Sequence, residues 1–193
     1  MQAGVSLSPT TSVPKDTQSE WVRVDFTMTI SMLVVDDEEA DVIRFRRAAR
    51  KAGVQRRIEI CRGGAEAFRL LAAQAGRSTS DSGYLLVSDL KMPAMRGTEL
   101  VARLRDELGL AELPAFILSS SDTISDIQDA LCSGANGYIL KCESEAEYLE
   151  VVRWLDDCCC QIERGHSLAN ETYFSASRPS QVIVGPVAYR NCV

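Results

Sequence analysis

Short apolar runs alternate along the chain with longer stretches in which apolar residues recur every three or four positions, beginning near Ile30. Short apolar runs are typical of strands buried on both faces of a parallel sheet, and the longer spacing is typical of amphipathic helices. The pattern predicts strands at Ile30 to Val35, Arg57 to Cys61, Tyr84 to Ser88, Ala115 to Ser119 and Gly137 to Leu140, and helices over 39–52, 64–75, 97–108, 125–133 and 144–163.

The regular alternation of strands and helices predicts an α/β fold. We expect a five-stranded parallel sheet, doubly wound in the flavodoxin-like order 2-1-3-4-5, with helices on both faces. Residues 1–27 are rich in Ser, Thr and Pro and predict a disordered leader, whereas 28–164 form the folded domain. Residues 165–193 form a C-terminal tail of unassigned structure, although Gln181 to Val184 is a candidate short strand. The polar stretch 76–83 predicts an exposed loop.

Local signals mark several helix ends. Ser125 with Gln128, and Ser144 with Glu147, fit capping boxes at helix starts. Glycine suits the position just after a helix, and such glycines stand at 53, 109 and 165.

Composition narrows the class of protein. A net charge of −6 over 193 residues argues against a nucleic-acid surface, and no apolar run is long enough to span a membrane. Without a secretory signal we expect a cytoplasmic protein whose seven cysteines are reduced. Arg44, Arg47 and Lys51 form a basic stripe along one helix, which is either a solvated face, the favoured interpretation, or a docking surface.

Polar residues stand at the carboxyl ends of four predicted strands: Asp36 and Asp37, Asp89, Ser119 and Lys141. In a doubly wound sheet these ends meet at the ligand-binding edge, so we expect the five side chains to converge. Adjacent carboxylates resist joint ionisation unless a cation neutralises them, and a hard divalent ion with oxygen ligands suits them. The pattern therefore indicates a magnesium-dependent phosphoryl acceptor.

Four ordered motifs carry a family resemblance over residues 30–160: VVDDEEAD at 34–41, SDLKMPAMRG at 88–97, ILSSSD at 117–122 and GANGYILK at 134–141. With them the chain resembles the receiver domain of bacterial response regulators. The resemblance implies that Asp89 is the phosphoacceptor. It also implies that Asp37 binds Mg²⁺ directly, Asp36 largely through water, and Lys91 through its backbone carbonyl, while Lys141 contacts the phosphoryl oxygens.

The same resemblance implies a switch. Ser119 matches the hydroxyl that moves to bond the phosphoryl group, and Tyr138 matches the aromatic residue that turns inward. The surface formed by the fourth helix, fifth strand and fifth helix is expected to form homodimers. The implied partner is a histidine kinase or phosphotransfer protein, and we expect a stand-alone receiver similar to those paired with phytochrome-type kinases.

Some positions depart from the family pattern or carry weaker signals. Cys142 stands where receivers usually have proline, so we expect a trans bond or a strained loop there. The Lys91 side chain is hypothesised to reach the phosphoryl group or Asp36 and alter the phosphoryl lifetime, and Ser121 occupies a second such position. Cys158 to Cys160 point in three directions and predict core packing plus one exposed thiol. His166 is interpreted as structural or incidental.

Two other functions remain open. Taken singly, the acids could be helix caps, Lys141 a surface charge and Tyr138 a core aromatic. The chain could then be an interaction domain that is never phosphorylated. An aspartyl-phosphate hydrolase is disfavoured because Lys91 stands where such enzymes carry a second acid after Asp89.

Overall fold

The computed structural model describes residues 28–75, 82–166 and 178–184. Predictions for residues 1–27, for loop residues 76–81 and for most of the C-terminal tail lie outside this part. The described strands are β1 Thr29–Val35, β2 Ile58–Cys61, β3 Ser82–Asp89, β4 Ala115–Ser119, β5 Gly137–Leu140 and β6 Val182–Val184. The described helices are α1 Glu39–Ala52, α2 Gly64–Ala75, α3 Gly97–Asp106, α4 Ile124–Cys132 and α5 Glu145–Glu163.

The sheet has the order β2-β1-β3-β4-β5-β6. The first five strands are parallel and follow the predicted order, which confirms the doubly wound α/β fold. The sheet nevertheless has one strand more than the five predicted, because β6 pairs antiparallel with β5. This strand falls within the candidate segment Gln181 to Val184. It covers the backbone groups of β5, which would otherwise form an open sheet edge.

Alternation along β1 divides the interior into two cores. Met32 and Val34 face the core that α1 and α5 cover, while Leu33 and Val35 face the core that α2, α3 and α4 cover. Successive side chains of a strand point to opposite faces of a sheet, so an unbroken apolar strand is needed where helices cover both. The unbroken apolar run of β1 in the sequence therefore predicted that helices cover both faces of the sheet.

Helix ends agree with the predictions in part. Gly53 ends α1 in the left-handed conformation with φ of 80°, as its position predicted. The predicted cap at Ser125 is wrong: α4 begins one residue earlier, and the Thr123 side chain accepts the N–H of Asp126. Ser144 is the residue before α5, as predicted, but its side chain makes no capping hydrogen bond.

The third helix is shorter than predicted. It ends at Asp106 rather than at 108, and Gly109 follows in a left-handed turn with φ of 65°. The Gly165 backbone also has a positive φ, of 83°, just after α5. Both glycines therefore lie in the turn just after a helix, where glycine is favoured because it adopts positive φ without strain.

Candidate functional site

The carboxyl edge of the sheet brings together three of the predicted residues. The Lys141 ammonium, carried on the end of β5, has its Nζ 2.7 Å from Oδ1 of Asp89 and 3.1 Å from Oδ2 of Asp36. These acids end β3 and follow β1, and both strands lie beside each other in the sheet. The parallel topology thus places one cation between two carboxylates that are more than fifty residues apart in sequence.

A third carboxylate, which the sequence interpretation missed, also binds this lysine. Asp41 in the first turn of α1 has Oδ2 2.6 Å from Lys141 Nζ. It belongs to the same DDEEAD motif as Asp36 and Asp37. Its place in the first turn of the helix that follows β1 was the signal that could have pointed to it.

Burial sets the electrostatics of this cluster. The Asp36 side chain is almost fully buried, and burial raises its pKa, although the N–H of Glu38 at 2.9 Å and the Lys141 charge both act to lower it. Burial by itself would lower the pKa of Lys141, but hydrogen bonds to Asp41 and Asp89 outweigh it, so that pKa is raised. The lysine is therefore a fixed cation in a site with more acid than base.

The predicted magnesium ligands are only partly assembled. Asp37 lies partly exposed directly after Asp36, and the backbone N–H of Lys91 donates to Oδ2 of Asp89 at 2.7 Å. Within residues 28–75, 82–166 and 178–184, no three Asp, Glu, His or Cys side chains are arranged to hold a metal ion.

The donor chemistry of the site nevertheless suits Mg²⁺. The available donors are carboxylate and carbonyl oxygens, which hard divalent cations prefer. In addition, three carboxylates surround the single Lys141 ammonium, so the acids outnumber the positive charges. The cluster can therefore accommodate further positive charge.

Close packing fixes the loop after Asp89. A Cβ atom on residue 97 would lie 2.2 Å from the backbone oxygen of Asp89, which is closer than any real contact. The N–H of Gly97 donates to the carbonyl of Leu90 at 3.0 Å, so the start of α3 is held against the end of β3. A glycine is required here because the two backbone segments touch.

The two predicted switch residues meet at the loop after β4. Ser119 is buried, and its Oγ accepts the N–H of Ser121 at 3.1 Å. Tyr138 is completely buried and donates its hydroxyl to the carbonyl of Ser121 at 2.8 Å. Burial also raises the Tyr138 pKa, so the hydroxyl is a neutral donor. In this structure the aromatic ring is already turned inward.

Asp126 at the start of α4 links this loop to the loop after Asp89, and the sequence interpretation did not identify it. Its Oδ2 accepts the Ser121 hydroxyl at 2.5 Å, and its Oδ1 lies 3.3 Å from Nη2 of Arg96. Lys91 Nζ is 3.9 Å from Oδ2 of the same carboxylate, with its side chain two-thirds exposed. In this structure the Lys91 side chain therefore lies near Asp126 rather than near Asp36.

The remaining predicted features lie away from this cluster. No cis peptide bond occurs in the described residues, so Lys141 and Cys142 are joined in trans, one of the two expected outcomes. Cys158 and Cys159 are buried and Cys160 is partly exposed, as predicted for three consecutive helical residues that point in different directions. His166 follows α5 and has its Nδ1 2.8 Å from Oε1 of Gln161, at the end of the helix.

Comparison with known protein families decides the class of the domain. Residues 32–153 match the response regulator receiver domain, which is more than half of the chain. The chain belongs to this family. Receiver domains are phosphoacceptors in two-component signalling rather than conventional enzymes. The family assignment confirms the resemblance on which the site interpretation rests.

Curated relatives are similar over the same region. The chain is 31% identical over 128 residues to the response regulator MprA of Mycobacterium ulcerans, covering 66% of this chain and 50% of that protein. It is 27% identical over 124 residues to the two-component response regulator ARR7 of Arabidopsis thaliana, covering 61% of this chain and 59% of that protein. The alignment thus spans 50% and 59% of the lengths of these two relatives.

Solved structures share the fold. A response regulator in red light signaling of R. palustris has a TM-score of 0.56 and 25% identity, covering 66% of this chain and 91% of that one. The phosphorylated cyanobacterial phytochrome response regulator RcpA has a TM-score of 0.58 and 21% identity, covering 70% and 96%. The Mn²⁺-bound response regulator Rcp1 has a TM-score of 0.53 and 21% identity, covering 67% and 92%.

None of the helices in the described residues has the length and apolar character needed to cross a bilayer.

Proposed function

We propose that this receiver accepts a phosphoryl group on Asp89 from a histidine kinase or phosphotransfer protein, and that the change in charge alters its binding to other proteins. The observation that carries the proposal is the position of the Lys141 ammonium, which bonds Asp89 and Asp36 together at the carboxyl edge of the sheet. Three carboxylates share this single cation, so the cluster keeps an excess of negative charge.

In the proposed reaction a carboxylate oxygen of Asp89 attacks the phosphorus of a phosphohistidine. A P–O bond to Asp89 forms as the P–N bond of the donor breaks, and the donor imidazole leaves. Lys141 is already charged and adjacent to Asp89 Oδ1, so its ammonium can move onto the incoming phosphoryl oxygens as a point donor.

Asp36, Asp37, the Asp89 carboxylate and the Lys91 carbonyl are the groups that would hold Mg²⁺. When bound, the ion neutralises charge on the carboxylates and on the phosphoryl oxygens. Asp36 is suited to this role because it places a buried carboxylate at the strand ends, next to Asp37. Asp41 retains Lys141 within the site when Asp36 is otherwise engaged.

The proposed readout passes through the loop after β4. The Ser119 hydroxyl moves to bond the phosphoryl group, which removes the acceptor of the Ser121 N–H. Because the Ser121 carbonyl holds Tyr138 and its hydroxyl holds Asp126, a shift of this loop reaches both β5 and α4. Two hydrogen-bonded arrangements of one loop provide the bistable element that a switch requires.

Two surfaces are proposed for partners. The proposed docking face for the phosphoryl donor consists of the exposed Ile43 together with Arg47 and Lys51 from the basic stripe of α1, which pair with Glu145 at the surface. The predicted homodimer through α4, β5 and α5 remains a proposal. Because β6 lies along β5, such a dimer has to form around β6 or displace it.

The test is phosphorylation by a small donor. The protein is incubated with Mg²⁺ and acetyl phosphate, and modified peptides are mapped by mass spectrometry. We expect one phosphoryl group on Asp89 that base and hydroxylamine remove, as they do from an acyl phosphate, and none in Asp89→Asn. An unmodified wild-type protein would favour the alternative of an interaction domain that is never phosphorylated, and modification that persists in Asp89→Asn would place the acceptor elsewhere.

A further inference from the structure

Arg44 in the middle of α1 contacts the turn that follows Lys141. Its Nη2 donates to the carbonyl of Cys142 and, at 3.0 Å, to the carbonyl of Glu143. These carbonyls lie between the end of β5 and the start of α5, where no helix or strand hydrogen bond uses them. A guanidinium presents several donors in a fixed plane, so one side chain can bind two successive carbonyls.

The guanidinium is itself held in place. Its Cζ lies 4.6 Å from the ring centroid of Tyr148, over the face of the ring. Tyr148 is buried and packs edge-on against Phe45, with the ring centroids 6.4 Å apart and the planes at 88°. Because Phe45 and Arg44 are neighbours on α1, the helix, the aromatic pair and the turn form one packed unit.

The same helix also holds the other end of Lys141. Asp41 binds the Lys141 ammonium at 2.6 Å, and Arg44 stands three residues later, on the same side of α1. The side chain of Lys141 is therefore held at its charged tip by one residue of α1, and the backbone of the two residues that follow Lys141 is held by another. Lys141 itself is joined to β4 through its N–H, which donates to the carbonyl of Ser119 at 2.8 Å.

We propose that Arg44 is a positioning residue for phosphoryl acceptance, which fixes the Cys142–Glu143 turn so that the Lys141 ammonium faces Asp89. The inference rests on the proposed phosphoacceptor function. This turn carries cysteine after the lysine, with an ordinary trans bond, so no proline ring restricts its backbone. The restriction comes instead from α1.

The test compares Arg44→Ala and Arg44→Lys with Arg46→Ala, which removes an exposed arginine from the same helix. Acetyl phosphate and Mg²⁺ serve as the donor system, so no docking protein is involved. One readout is the initial rate of phosphorylation at Asp89. The other is the NMR signal of the Lys141 ammonium, assigned by its loss in Lys141→Met. Urea unfolding confirms that each variant is folded.

We expect Arg44→Ala to slow phosphorylation about tenfold and to shift the Lys141 signal, as is usual when hydrogen bonds that orient a reacting group are lost. Arg44→Lys should recover part of the rate because one ammonium reaches a single carbonyl. Arg46→Ala should match the wild type in both readouts.

A wild-type rate and an unchanged Lys141 signal in Arg44→Ala would overturn the proposal, as would equal slowing in Arg46→Ala. If Arg44→Ala does not fold, Arg44→Lys carries the test, and wild-type values in both readouts would again overturn it. An unmodified wild-type protein would instead contradict the phosphoacceptor function, and the Lys141 signal would still report whether Arg44 positions that side chain.

Discussion

Two largely buried cations in this receiver are each surrounded by acids, and the two clusters differ in how much negative charge remains unbalanced. Arg56 bonds Asp156 and, at 3.0 Å, Glu163, and it also donates to the Ile30 carbonyl at 2.6 Å. Lys141 bonds three aspartates, with a further acid, Asp37, next to them. The arginine cluster carries one excess negative charge, whereas the lysine cluster carries three.

The electrostatics of the two clusters follow this difference. Burial by itself would lower the pKa of Arg56, but its bond to Asp156 outweighs that effect and the pKa is raised. Beside Lys141, burial raises the pKa of Asp36 although the lysine charge acts to lower it. The planar guanidinium of Arg56, which pairs with both of its acids, is suited to holding β1 against α5. A single mobile ammonium among excess acids is suited to exchanging partners.

The largest expected effect comes from breaking the arginine cluster. Arg56→Ala leaves two partly buried acids without their cation, so we expect the free energy of unfolding to fall by about 3 kcal/mol. Urea unfolding measures the loss. Phosphorylation at Asp89 should be unchanged once the rate is corrected for the fraction of protein that is folded. A slower corrected rate would show that the arginine cluster also serves phosphorylation, which would contradict the distinction between the two clusters.

A smaller effect is expected at the lysine cluster. Lys141→Met removes the cation that competes with a metal for Asp36 and Asp89, so Mg²⁺ should bind about tenfold more tightly, a change typical of losing one nearby like charge. Magnesium titration followed by NMR or calorimetry gives the affinity. Weaker Mg²⁺ binding in this variant would show that Lys141 organises the acids for the ion instead of opposing it.

The smallest expected effect concerns pH. Because the folded-state pKa of Asp36 is raised, the folded protein binds its proton more tightly than the unfolded chain does, so Asp36 lowers stability as pH rises through that folded-state pKa. Asp36→Asn should therefore be more stable than the wild type at neutral pH without Mg²⁺, by about 1 kcal/mol. The gap should narrow in acid and on adding Mg²⁺. Unfolding curves at several pH values measure it, and a gap that widens in acid would reverse the assigned sign.

The sequence predicted the layers and the strand ends well for a physical reason. Buried parallel strands need continuous apolar runs, and parallel topology forces their carboxyl ends to one edge, so Asp36, Asp89 and Lys141 were predictable from position alone. The sixth strand was only a candidate, because three residues such as Val182 to Val184 carry too little periodicity to predict their pairing.

The rest of the site depends on side chains that meet across the fold. Asp41, Arg44 and Asp126 lie on helix faces where charged residues are ordinarily solvated, and their partners are distant in sequence or belong to loops. Arg56 was likewise indistinguishable from other arginines of the chain. Helical spacing showed which residues share a face, but the contact each face makes depended on how α1, α4 and α5 pack.

The most direct measurement of the central claim is a crystal structure of the protein with Mg²⁺ and beryllofluoride, an analogue of the phosphoryl group. We predict beryllium bonded to an Asp89 oxygen, Mg²⁺ on the carboxylates of Asp37 and Asp89, and Lys141 Nζ moved from Asp36 onto a fluoride. A structure in which beryllofluoride leaves Asp89 bare, or in which Lys141 keeps its bond to Asp36 and faces no fluoride, would contradict the account.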